Sequence, residues 1–155
     1  VWFPNEVTPD TVDEAVRHGF WVVPQVPLPS APWDGFEKSS RIDPQTLERD
    51  ANRVAGFLRK YLATDAVLMW DLGTGRTAEE VTRIARAAAA VREVDPKRAR
   101  AVDVWDGFQS YGSYVDAIGT HRWPLFTSLE MNAYKDWLAQ RKALTPPSKL
   151  SFTWV

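Results

Sequence analysis

The chain has 155 residues, 45% apolar and 25% charged, with a formal net charge of −1 and no cysteine. That length supports one domain with its own core, and the near-neutral balance offers no electrostatic case for nucleic acid or an anionic membrane surface. The missing cysteines exclude disulfides, thiolate catalysis and thiolate-bound metal, and no apolar run approaches the ~18 residues that span a bilayer.

The first element is a short strand, Val-Trp-Phe. Without an initiator methionine it reads as an excised or processed piece, so the parent's compartment stays open, a secreted or periplasmic one included. Thr8 and Pro9 form an N-cap and first-residue pair. The helix they open carries Val12, Ala15 and Val16 on one face and stops at Gly19, with His18 where a cation suits the helix dipole. The run FWVVPQVPLP (20–29) starts as a strand, and its prolines turn the second half into a strand end or loop. A polar loop holding Trp33 follows to residue 41.

Asp43-Pro44 caps a second helix, with Leu47, Ala51, Val54, Leu58, Tyr61 and Leu62 at helical spacing. A strand over 66–72 leads into a glycine turn. Thr77 and Glu80 then form a capping box for a third helix that buries Val81, Ile84, Ala88 and Val91 and ends before Asp95-Pro96. Residues 99–105 are the next strand, with Trp70 and Trp105 expected in the core. A short helical stretch near 111–115 leads into the strand AIGTHRW (117–123). Thr127 and Glu130 make a second capping box, opening a helix with Leu129, Ala133, Trp137 and Leu138. A strand over 150–155 ends the sequence.

About six strands alternate with four or five helices, which predicts parallel strands with right-handed crossovers, hence a single α/β domain over residues 1–155. A doubly wound sheet would suit the length; a complete (β/α)8 barrel needs ~200–250 residues, so the chain could form only part of one. Both architectures place ligands at the carboxyl ends of the strands. The residues delivered there are Asn5, Glu6, Gln25, Pro27, the stretch from Asp71 to Gly75, Trp105, Asp106, and His121 to Trp123.

The stretch VLMWDLGTGRTAEE (67–80) admits two readings. Asp-Leu-Gly-Thr-Gly after a strand resembles the first glycine motif of class I methyltransferases, which bind S-adenosylmethionine. Asp103 or Asp106 would then supply the acid that ends the next strand. A third glycine is lacking, since Arg76 and Thr77 follow Gly75, but backbone amides at the Thr77 helix start could hold an anion.

The second reading draws on more of the sequence. A long helix precedes AVLMWDLG, a helix ends in VREVDPKRA, a strand follows, and then comes YVDAIGTHRWP. Over roughly residues 44 to 130 this order is similar to the central part of (β/α)8-barrel glycoside hydrolases, the clan that includes β-galactosidases, β-mannanases and cellulases. There the fourth strand commonly reads WDLGNE, whose Glu is the general acid/base. The next helix often ends in a DPxR turn, matched by Asp95, Pro96 and Arg98, and a later stretch resembles Asp116 to Pro124. The resemblance implies a partial (β/α)8 TIM barrel, about strands two to seven, that binds or acts on carbohydrate and meets the remainder of the parent barrel. It implies no cofactor.

The departure from that pattern is Thr74-Gly75 in place of Asn-Glu. Glycosidases need two carboxyl groups flanking the scissile bond; Gly75 has none, and the family's nucleophilic Glu is expected only just past Val155. A catalytically inactive carbohydrate binder is therefore expected, unless another acid substitutes. Asp71 is one candidate, with a structural ion pair as its other reading. Asp106 is the second, with an Asx-turn to Gly107 as its alternative. Glu6 and Glu130 are better explained as helix-start residues. The expected sugar contacts are His121, Arg122, Trp123, Thr74, Asp106 and Trp33, and two separated histidines predict no metal site.

Overall fold

Helices begin where the sequence places a capping side chain. The computed structural model describes residues 1–3, 7–29, 42–121 and 130–153. Helix α1 (Pro9–Arg17) is capped by Thr8, whose hydroxyl accepts from the Thr11 amide at 3.3 Å, and closes at Gly19 with φ +74°. Asp43 caps α2 (Pro44–Arg59) by accepting from the Thr46 amide at 3.2 Å, and that helix buries Ala51, Val54 and Leu58. The Thr77–Glu80 capping box is present. It opens a 3-10 turn, Ala78–Glu80, that runs into α3 (Val81–Val94), where Ile84, Ala88 and Val91 are buried. A short α4 (Phe108–Tyr111) and α5 (Met131–Leu144) complete the helices.

Four sequence expectations shift here. Helix α2 ends before Leu62, which is exposed, while Tyr61 is buried and its hydroxyl donates to the Val7 carbonyl at 2.7 Å. Val16 is likewise an exposed member of its helix. In α5 the second capping box does not form around Glu130. That residue has ψ 149°, extended backbone just outside the helix, so it cannot occupy the third helical position the box requires. Tyr134, not Ala133, is the buried residue of α5, with Trp137 stacked on it at 6.0 Å. Thr127 and Leu129 lie outside the described residues.

The strands are parallel throughout. Strand β1 (Trp2–Phe3) pairs with β2 (Val23–Pro24), and β3 (Met69–Asp71), β4 (Ala99–Asp103), β5 (Ala117–Thr120) and β6 (Leu150–Thr153) lie side by side in that order. Single-residue bridges, Val22 to Val67 and Gln25 to Asp71, join the two groups. Among the described residues, then, the strands follow one another in sequence order. A doubly wound sheet would reverse that order at a switch point.

Side-chain alternation divides each strand between two faces. Trp70, Leu72, Val102, Val104 and Ile118 enter the main apolar cluster with Val54, Leu58, Ile84 and Val91 from α2 and α3. Asp71, Asp103 and His121 have the opposite parity. Trp70 is fully buried, edge-on to Phe57. Trp105 is not core: it is 53% exposed, because the ladder stops at a bridge between Val104 and Arg76 and Trp105 falls on the bend beyond it.

At the amino ends of the strands, the turn from Asp95 to Arg98 is tied by a polar knot around the buried Asp95 carboxylate. Asp95 accepts from Arg98 Nη1 at 2.7 Å and from the Trp70 indole at 3.0 Å. Arg98 in turn donates to the Val67 and Thr64 carbonyls, fastening the end of α3 to the entry of β3. Burial works against the Asp95 charge, but the bonds from Arg98 and Trp70 outweigh it and hold the carboxyl below its ordinary range. Asp116 is depressed likewise: burial again opposes, and the paired bonds from Arg100 prevail. With folded-state values lowered, this stabilisation is complete above pH ~4 and is lost as pH falls through the folded values. Replacing Arg98 by Met strands the buried carboxylate and is expected to cost about 3 kcal/mol. Urea unfolding at pH 7 and pH 3 should show the mutant deficit at the higher pH and a smaller one at the lower.

Candidate functional site

The carboxyl ends of β3 and β4 are organised by one residue that lies beyond the strand, Arg76. Its side chain is fully buried. Nη1 donates to Glu80 at 2.7 Å and to the Pro29 carbonyl at 3.0 Å, while Nη2 donates to the Leu28 and Leu72 carbonyls at 3.1 and 3.3 Å. The glycine turn wraps around this guanidinium. Gly73 has φ +122°, and a Cβ there would lie 2.3 Å from Arg76 Nε. Glycine is therefore required at that position for both backbone and space.

Five amides of the turn and the helix start after it are already occupied. Gly73 N–H donates to Asp71 Oδ1 at 2.9 Å and Gly75 N–H to Asp103 Oδ1 at 2.8 Å. Arg76 N–H goes to the Asp103 carbonyl, Thr77 N–H to Glu80 Oε2, and Ala78 N–H to Asp106 Oδ1. Four of these five amides are spent on carboxylates. A phosphate cradle needs such amides free and aimed outward, so neither the anion nest nor the S-adenosylmethionine reading finds support in this turn.

Asp103 ends β4 and is 1% exposed. Its Oδ1 accepts from Gly75 and is also 2.8 Å from His121 Nδ1, just past β5, while its Oδ2 is buried without a hydrogen-bond partner. Thr74 lies between two residues bonded to Asp103, since Gly73 also accepts from the Asp103 amide, and its buried hydroxyl oxygen is unpartnered too. Hydrogen bonding to Asp103 raises the His121 pKa above its ordinary value; partial burial opposes this. The arrangement can hold an imidazole through Asp103, which favours its charged form, beside oxygens without partners among the described residues at the strand tips.

The structure thus brings Thr74 and His121 together through Asp103. Asp106 serves the start of the 3-10 turn, and Asp71 is fully buried in an Asx-turn with Gly73. Arg122, Trp123 and Trp33 lie outside the described residues. Sequence reasoning passed over Asp103 as a partner of His121, although its place as the last residue of a strand, opposite in parity to Val102 and Val104, was the available signal. It also took Arg76 only as the absence of a third glycine. Among the described residues no cluster of three or more His, Asp or Glu side chains could hold a metal ion.

No protein-family model matches the sequence, and no curated protein matches it. Solved structures do resemble the fold. A β-D-glucuronidase from Dictyoglomus thermophilum superposes with TM-score 0.76 at 19% identity, covering 90% of this chain and 26% of that one. An uncultured Clostridium sp. β-glucuronidase gives 0.73 at 13% identity, over 92% and 27%. A GH2 β-galacturonidase from Eisenbergiella tayi, bound to galacturonate, gives 0.69 at 11% identity, over 97% and 27%. The chain thus spans about a quarter of the length of these structures, and it shares with that stretch a mixed α/β fold built on parallel strands.

The His121–Asp103 pair fixes the sign of a pH effect. A raised folded-state pKa makes its stabilisation complete below pH ~6.5 and lost as pH rises through the folded value. Nuclear magnetic resonance titration should place His121 above an ordinary histidine. Thermal unfolding between pH 6 and 9 should show a decline that Asp103→Asn flattens.

Proposed function

We propose that this chain is a portion of a (β/α)8 barrel of glycoside-hydrolase type, and that its strand tips bind carbohydrate without cleaving it. One observation carries the reading: the His121–Asp103–Gly75 constellation stands at the strand tips of a fold shared with stretches of β-glucuronidases and a β-galacturonidase. Ligands of parallel-stranded barrels gather at that end. The sequential strand order supports a barrel over a doubly wound sheet.

Sugar hydroxyls both donate and accept, so they suit a site holding an oriented imidazole and oxygens that lack partners. The proposed partner within the parent is the remainder of the barrel. Thr74 and Gly75 occupy the place where the resembling clan carries Asn-Glu. Gly75 supplies no proton and has φ +66°, with its amide committed to Asp103. A substitute acid at Asp106 would have to give up the Ala78 amide, and one at Asp71 would have to act from a fully buried position. Both considerations favour binding over hydrolysis.

The resembling structures suggest hexuronates as first ligands. A D-glucuronate titration followed by nuclear magnetic resonance should shift the signals of Thr74, Gly75 and His121 saturably, and His121→Ala should abolish the response. Shifts confined to other residues would overturn the binding site. An aryl β-D-glucuronide should not be turned over; turnover that Asp106→Asn abolishes would overturn the inactive reading.

A further inference from the structure

The opposite end of the strands carries a feature that the carbohydrate reading does not use. A cavity of about 240 Å³ lies among Arg92, Asp95, Lys97, Arg98, Arg100 and Asp116, with Pro96 and Ala99 in its wall. Its charges do not balance. Asp95 is matched by Arg98, and Asp116 by Arg100 through two bonds of 2.8 and 2.9 Å. Arg92 and Lys97 form no ion pair among the described residues, and Lys149 stands near enough to Asp116 to act on its charge.

Arg100 is the informative residue. It is 7% exposed, and Asp116 occupies only its Nε and Nη2. Nη1 has no partner among the described residues and is not one of the sealed, unsatisfied atoms, and Arg100 is among the residues that line the cavity. A buried guanidinium held rigid along one edge, with donors left over, is preorganised for an oxyanion.

We infer that this cavity is an anion site for a phosphate group, held by Arg100 Nη1 with Arg92 and Lys97. The donors come from three segments: the end of α3, the turn after it, and β4. A planar carboxylate is satisfied by one guanidinium edge, whereas donors converging from separate segments match a tetrahedral dianion. The volume admits phosphate with several waters, each occupying ~30 Å³ of liquid. Arg92 and Lys97 are exposed, so they can be removed without disturbing the buried pairs.

The test is a titration of the whole chain with inorganic phosphate at constant ionic strength, followed by amide resonances. Saturable shifts at Lys97, Arg98 and Arg100 are expected. Arg92→Ala with Lys97→Ala should weaken binding by about ten-fold, while Lys135→Ala, an exposed cation on α5, should leave it unchanged. No saturation with phosphate, equal saturation by chloride or acetate, or equal weakening by Lys135→Ala would each overturn the site.

Discussion

A guanidinium sealed from water sets the shape of the strand tips. Removing an arginine from solvent costs several kcal/mol even after relaxation, and the cost is met only where geometry supplies acceptors on most sides. Arg76 meets that condition with the Glu80 carboxylate and the carbonyls of Pro29, Leu28 and Leu72. Those acceptors belong to the segment after β2, the exit of β3 and the 3-10 turn before α3. One side chain therefore fixes how three separate pieces of chain meet. The glycine turn takes its path from the need to pass close to this group, and that path delivers the Gly75 amide to Asp103.

The order of dependence runs from Arg76 to the turn, from the turn to Asp103, and from Asp103 to His121. Asp103 is held by Gly75 on one side and engages the imidazole on the other through the same oxygen. The orientation of His121 thus depends, through Asp103 and the glycine turn, on a residue 45 positions earlier. The buried knot at the other end, Asp95 with Arg98 and Trp70, secures the start of the same strands independently. Between these two fixed ends the apolar contacts of Trp70, Val102 and Ile118 with α2 and α3 supply non-directional cohesion.

What the sequence made legible was local. Thr8, Asp43 and the Thr77–Glu80 pair announced helix starts because a cap acts within three residues of itself. Trp105 misled because burial of an indole depends on where the ladder ends, and that is decided by the bridge from Arg76 to Val104, 28 positions apart in sequence. The candidate site divides along the same line. His121 and Thr74 could be found as residues at strand ends. The carboxylate that joins them was marked only by its place at the end of a strand, and which amide it and Asp106 each meet is decided by contacts distant in sequence. Asp106 meets Ala78, and Asp103 meets Gly75.

The distribution of unsatisfied polar atoms then bears on what the tips are for. Leaving a buried donor or acceptor without a partner costs ~1–3 kcal/mol, so such atoms are rare unless something outside the chain completes them. Five such side-chain atoms occur among the described residues, and three belong to the turn and its partner strand: Thr74 Oγ1, Arg76 Nε and Asp103 Oδ2. Gly73, which passes directly over Arg76 Nε, explains that atom as a steric consequence of the wrap. The hydroxyl and the carboxylate oxygen have no comparable explanation within the fold. The carboxylate oxygen stands where strand parity turns side chains away from the helices, beside the histidine that the same carboxylate engages, and the hydroxyl lies in the adjoining turn. The strand tips thus keep one hydroxyl and one carboxylate oxygen whose hydrogen-bonding capacity the described residues do not fill, in contrast to Asp95 at the other end.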